Sequence, residues 1–176
     1  RDLRMSRGLG DVYKRQRERY LMKFAIITCS DTRTLETDTA GNVLEELIAE
    51  KGWTCVSHVV TTDERSLIAQ AIVTACGRFE ADVVITCGGT GLSPRDVTPE
   101  ATEDVCDRPV PGIAEGMRAY SMKFTNRAML SRAVCMQRGK TLVINFPGSE
   151  KAVRENWEAV NEVLEHALAM MDGQGH

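Results

Sequence analysis

From residue 22 onward, short apolar runs alternate with longer amphipathic stretches, and the two kinds of segment have different periods. Lys23 to Cys29, Ala81 to Cys87 and Thr141 to Asn145 are nearly continuous apolar runs, which predicts buried strands. Trp53 to Thr61 is β-branched and alternating, a further strand. Between them the period is helical. Asp38 to Lys51 puts Val43, Leu44, Leu47 and Ile48 on one face, and Gly52 ends it. Arg65 to Phe79 aligns Leu67, Ile68, Ala71, Ile72, Ala75 and Cys76. A third helix is expected from Thr98, with Thr98 as its N-cap and Pro99 at its first position. Pro109-Val110-Pro111-Gly112 breaks the chain, and Ile113 to Phe124 reads as another helix. Ser149 caps a last helix with the stripe Val153, Trp157, Val160, Leu164, Leu168 and Met171. Strands alternating with helices predict an α/β fold of three layers, α/β/α, around a mostly parallel sheet. Ligands of such sheets bind beyond the carboxyl ends of the strands. The segments after Cys29, Thr61, Cys87 and Asn145 are therefore expected to meet in one crevice.

The 176 residues favour one domain with a real core. No apolar run approaches a membrane span, and no signal peptide pattern is present. The first 21 residues carry seven basic and three acidic residues, against 15 and 22 in the rest. Arg7 to Gln16 resembles translated sequencing adaptor, so residues 1–21 read as a leader and 22–172 as the domain. The domain is acidic, which argues against a nucleic-acid partner. Cysteines at 29, 55, 76, 87, 106 and 135 form no CxxC pair and read as buried free thiols of a reducing, cytoplasmic compartment. The eight methionines read as core filler.

Chemistry concentrates after the strand that ends at Cys87. Gly88-Gly89-Thr90-Gly91 lets the backbone bend sharply and approach a ligand, and converging loop N–H groups suit an anion. Arg95 and Asp96 follow at once, then a helix start. The segment combines anion donors, a cation, a carboxylate and a positive helix end. It is neither a P-loop nor a dinucleotide fingerprint, since GxxxxGK[ST] and GxGxxG are both absent.

As a whole string, GGTGLSPRDVTPEA resembles the MogA/MoaB family of molybdenum cofactor biosynthesis, which includes the molybdopterin adenylyltransferases. Arg138 to Glu155 resembles the family's strand and LPGSPKAVRE turn, with Phe146 for Leu and Glu150 for Pro. Cys29-Ser30-Asp31-Thr32, Asp38-Thr39-Ala40-Gly41 and Ala128 to Val134 match as well, so the resemblance runs from Met22 to about Met171.

The resemblance implies the MogA-like molybdopterin-binding fold and transfer of AMP from ATP to the molybdopterin phosphate, with Mg²⁺ held by carboxylates. It implies Asp96 and Asp63 as catalytic and metal-binding residues. From the residues alone, Asp96 equally suits a turn and Asp63 a helix N-cap. Implied substrate contacts are Ser30, Asp31, Asp38, Gly41, Gly88, Gly89, Thr90, Gly91, Arg95, Ser131, Arg132, Pro147, Gly148 and Ser149. Arg132 equally suits a structural ion pair. The resemblance further implies a homo-oligomer, a trimer in preference, with the molybdenum insertase of the pathway as a partner. A MoaB-like binding protein without turnover, and one domain of a larger fusion, stay open as alternatives. The intact string Arg95-Asp96-Val97-Thr98-Pro99 favours the enzyme.

Overall fold

The structure is a computed structural model and describes residues 21–173; residues 1–20 of the expected leader lie outside the described part. Six strands form one mixed sheet: β1 (Lys23–Cys29), β2 (Thr54–Thr61), β3 (Val83–Cys87), β4 (Arg108–Pro109), β5 (Cys135–Arg138) and β6 (Thr141–Phe146). Their order is β2-β1-β3-β6-β5-β4. The first four in that order are mutually parallel, and β5 and β4 add antiparallel pairs at one edge. The helices are α1 (Thr39–Glu50), α2 (Arg65–Gly77), α3 (Thr98–Val105), α4 (Pro111–Ser121), α5 (Glu150–Val160) and α6 (Leu164–Met171).

The period-two rule for strands divides the core in two. Phe24, Ile26, Val83, Ile85, Ile144 and Phe146 face the layer of α1, α4 and α5, where they pack on Leu44, Ile48, Met117 and Val153. Ala25, Ile27, Val84 and Val143 face α2 and α3, packing on Ile68, Ile72, Ala75 and Ala101. The three-layer expectation therefore holds. Phe24 stacks on Trp53 at 5.4 Å, and Trp157 meets both rings edge-on at 5.8 and 5.9 Å. This aromatic knot ties α5 to the start of β1.

Four expectations need correction. β4 and β5 have no counterpart in the sequence reading, because two and four residues give no period to detect. The last helix is interrupted: a 3₁₀ turn at Asn161–Val163 separates α5 from α6. Not all methionines fill the core, since Met129 is 65% exposed and Met170 50%. Thr98 is not a side-chain cap. It is the first residue of α3, after Val97, and its N–H donates to Gly89 O at 3.1 Å. Among the described residues the buried Thr98 Oγ1 has no hydrogen-bond partner. All six thiols are free, as expected, but only Cys29, Cys87 and Cys135 are buried; Cys55, Cys76 and Cys106 are half-buried. Burial pushes the Cys29 thiol up to about 12.

Asp38 and Gly41 belong to the core rather than to a crevice. Asp38 is fully buried and caps α1, its Oδ1 accepting from Gly41 N at 3.0 Å. Its Oδ2 accepts from Thr28 Oγ1 at 2.6 Å and meets His58 Nε2 at 2.7 Å. His58 Nδ1 meets Glu45 at 3.0 Å, so the imidazole bridges two carboxylates. A Cβ at Gly41 would run into Asp38 Oδ2 and His58 Nε2. Helix propensity alone predicts that Gly41→Ala stabilises the fold by about 1 kcal/mol. The clash predicts the reverse, a loss of about 1–3 kcal/mol from overpacking. Urea unfolding of the variant is expected to show the loss; a gain would remove the close approach as the reason for glycine here.

Candidate functional site

Because β1, β2, β3 and β6 are parallel, their carboxyl ends emerge at one edge, and the loops that follow them are packed together. Ser30 N donates to Thr61 O at 2.9 Å, and Gly88 N donates to Phe146 O at 2.9 Å. Gly88 has φ +104, and a Cβ there would lie 2.6 Å from Cys29 O. A Cβ on Gly148 would stand 3.3 Å from Gly88 Cα. The glycines are thus required where three backbones meet, as well as for the turn itself.

Asp31 and Asp63 are joined reciprocally. Asp31 N donates to Asp63 Oδ2 at 3.1 Å, and Asp63 N to Asp31 Oδ1 at 2.9 Å. Arg95 then clamps the Asp31 carboxylate with Nε at 3.0 Å and Nη2 at 2.8 Å, a two-pronged pair. The Arg95 guanidinium holds the Asp31 carboxyl below the usual carboxylate range. Asp63 shifts the other way: burial raises its pKa first, then the charge of Asp31, with a smaller push from Asp96. Asp63 does not cap α2. Glu64 holds that position and makes no side-chain cap bond. Asp63 Oδ1 is left facing the glycine loop, 3.5 Å from where a Gly89 side chain would begin.

Asp96 is half-buried. Its Oδ2 accepts from Ser93 N at 3.0 Å while its own N–H returns to Ser93 O at 2.9 Å. The turn expected at this position is real, and it aims the carboxylate across Gly91. Arg132 fixes the same loop from behind: Nε donates to Gly91 O at 2.8 Å, Nη2 to Asp96 O at 2.6 Å, and Nη1 pairs with Glu100. These bonds make Arg132 a brace of the loop, the ion pair that the sequence also allowed. Glu100 went unnoticed in the sequence because an acidic residue in a first helical turn is ordinary.

Ser30 Oγ accepts from the N–H of Thr32 and of Arg33, each at 3.2 Å, which shapes the loop after β1. Ser149 caps α5 as expected, accepting from Ala152 N at 3.1 Å. Gly148 and Ser149 are exposed at that helix start, which is a second anion-favouring end. Pro147 and Ser131 line an adjoining cavity with Thr90 and Gly91. Among the described residues, no group of three or more His, Cys, Asp and Glu side chains is arranged to hold a metal by itself. No helix there is long and apolar enough to cross a membrane.

A glycine loop, two helix starts and two aspartates gathered at the carboxyl edge of the parallel strands define an α/β protein with an anion-favouring crevice. Residues 25–166 match the family described as "Probable molybdopterin binding domain", and the chain belongs to that family. It is 36% identical over 152 residues to the molybdopterin adenylyltransferase of Helicobacter pylori, covering 84% of this chain and 86% of that one. It is 40% identical over 151 residues to the molybdenum cofactor synthesis protein cinnamon of Drosophila melanogaster. That match covers 84% of this chain but only 25% of the longer relative. Among solved structures, the molybdopterin biosynthesis enzyme MoaB of Thermus thermophilus superposes with a TM-score of 0.79 at 40% identity, covering 86% of this chain and 97% of that one.

Arg132→Lys tests the bracing of the loop. A lysine keeps the charge but cannot reach Gly91 O, Asp96 O and Glu100 together. The amides of Ser93 and Asp96 are expected to exchange hydrogen at least about tenfold faster, a local loss of about 1.4 kcal/mol. Unchanged exchange would show that the Ser93–Asp96 turn holds without the brace.

Proposed function

We propose that this chain is a molybdopterin adenylyltransferase, joining AMP from ATP to the terminal phosphate of molybdopterin with release of pyrophosphate. The observation that carries the reading is the free Asp63 Oδ1 aimed at the Gly88–Gly89 turn, with Asp96 across the same loop. In the reaction a phosphate oxygen attacks the α-phosphorus of ATP, so two anions must be brought together. The loop amides and the α5 start supply positive potential for their oxygens. Arg95, fixed by Asp31, adds a full charge at the rim.

Magnesium is the metal this reading requires. It binds through one or two carboxylates together with substrate phosphates and water, rather than in an all-protein cage. Asp63 and Asp96 fit that demand: both are half-buried at the glycine loop, and burial together with the charge of Asp31 raises the pKa of Asp63, a condition that a bound cation would relieve. The ion, when bound, would supply charge neutralisation at the phosphates. Asp63 and Asp96 would hold it, while Gly88, Gly89, Thr90, Gly91, Gly148 and Ser149 orient the phosphates. Assembly as a homotrimer belongs to the same reading, and it would cover apolar side chains such as Phe124, which is 56% exposed. So does delivery of the product to a molybdenum insertase in the cytoplasm. The second reading, a binding protein without turnover, is favoured by likeness to proteins named MoaB.

Incubation with molybdopterin, ATP and Mg²⁺ is expected to release pyrophosphate. Asp63→Asn and Asp96→Asn are expected to stay folded and fall below about a tenth of the wild-type rate, more than about 1.4 kcal/mol of barrier. Asn preserves shape in both turns but removes the charge. Normal turnover in either variant would strip that carboxylate of its role. Ligand binding without pyrophosphate from the wild-type protein would establish the second reading.

A further inference from the structure

The Thr98 hydroxyl is fully buried at the start of α3 and makes no hydrogen bond among the described residues. Its place in the helix explains part of this. A threonine inside a helix can turn its hydroxyl back to the carbonyl four residues earlier. Thr102 does so one turn later, its Oγ1 donating to Thr98 O at 2.9 Å. Thr98 is the first residue of α3, so no helical carbonyl lies behind it. Cys29 stands close by, but burial pushes its thiol up to about 12 and its S–H turns to Ile27 O at 3.9 Å. A protonated sulfur is only a weak acceptor. A buried hydroxyl in this condition opposes folding, and an apolar side chain of similar size would not.

The hydroxyl lies under the glycine turn. Gly89 has φ +70, and a Cβ on it would run into Thr98 Oγ1 and stand 3.5 Å from Asp63 Oδ1. Both oxygens thus face the same side of one α-carbon, where any side chain would fill the space between them. Asp63 Oδ2 takes the Asp31 N–H, while Oδ1 accepts no hydrogen bond among the described residues. A donor without an acceptor therefore stands near a carboxylate oxygen without a donor.

We propose that Thr98 is a positioning residue for Asp63: once phosphates occupy the glycine turn, its hydroxyl donates to Asp63 Oδ1 and holds that carboxylate in the crevice. The assignment rests on the adenylyltransferase reading and deepens it. Phosphates on the turn amides repel a carboxylate beside them. A neutral donor resists that displacement and brings no charge that would compete for the phosphates, as a lysine would. Gly88 and Gly89 both have positive φ, the conformation in which glycine alone moves freely, so the turn can settle on a ligand and let the two oxygens meet.

Thr98→Ser and Thr98→Ala both lose the methyl group and differ from each other by the hydroxyl alone. Without ligand, Thr98→Ala is expected to melt at or above the temperature of Thr98→Ser, which checks that both fold. Pyrophosphate release by Thr98→Ser is expected to stay within about threefold of wild type, and kcat of Thr98→Ala to fall at least about tenfold with KM for ATP little changed. Hydrogen exchange of the Asp31 amide, which is bonded to Asp63, gives a readout without turnover. ATP with Mg²⁺, in the absence of molybdopterin, is expected to slow that exchange at least about tenfold in wild type and Thr98→Ser, and less than about threefold in Thr98→Ala. Equal turnover and equal Asp31 exchange in the two variants, whether high or low, would overturn the proposal. So would a difference in turnover without one in exchange, which would place the hydroxyl on the substrate instead of Asp63. Pyrophosphate release by the wild-type protein with matching variants would remove this assignment alone. Exchange that separates the variants, with no pyrophosphate from the wild type, would remove the adenylyl-transfer reading alone.

Discussion

At Gly88 three backbone segments pass so close together that nothing larger than a hydrogen fits. The carbonyl of Cys29 and the α-carbon of Gly148 bound the space that a side chain would need. That approach follows from four parallel strands packed edge to edge, since their carboxyl ends arrive at one side about 4.8 Å apart. Everything chemical in the molecule depends on this edge. Bulk at Gly88 would part the loop after β3 from those after β1 and β6, and Asp63 would no longer face the glycine turn.

Electrostatics then divides the acidic residues. Asp31, Asp63 and Asp96 stand on three different loops, and three like charges in one place oppose folding. Arg95 answers the most exposed of them, Asp31, and leaves the half-buried Asp63 raised by burial and by its neighbours. A carboxylate in that condition favours a cation or a proton donor over water. Arg132 sits behind the loop and is committed to Gly91, Asp96 and Glu100. Of the two arginines nearest the glycine turn, one sets the charge and the other sets the shape.

The cavity beside the crevice adds a second environment. The crevice offers amides, hydroxyls and charges, whereas the cavity offers an apolar wall with Glu155 and Asn156 in it. The aromatic knot of Phe24, Trp53 and Trp157 fixes α5, and so fixes the Ser149 cap and Glu155 relative to each other.

The sequence by itself determined the layers and the edge. Runs such as Phe24 to Ile27 and Val83 to Ile85 are apolar at consecutive positions, which only a strand covered on both faces explains. The Ser149 cap and the glycine turn were legible for the same local reason: cap and turn chemistry is fixed by a few neighbouring residues. Longer-range assignments were not. Asp38 and Arg132 read as substrate contacts, yet the fold commits the first to Thr28 and His58 and the second to Glu100. Thr98 read as a cap, yet Gly89 O took its backbone N–H. Strands of two and four residues left no period to read. Which partner a polar side chain takes is decided by approaches between residues far apart in the chain, as between Asp31 and Arg95, which are 64 residues apart. Local pattern carries no information about those distances, so only the tertiary structure could separate the residues that face the crevice from those that hold it open.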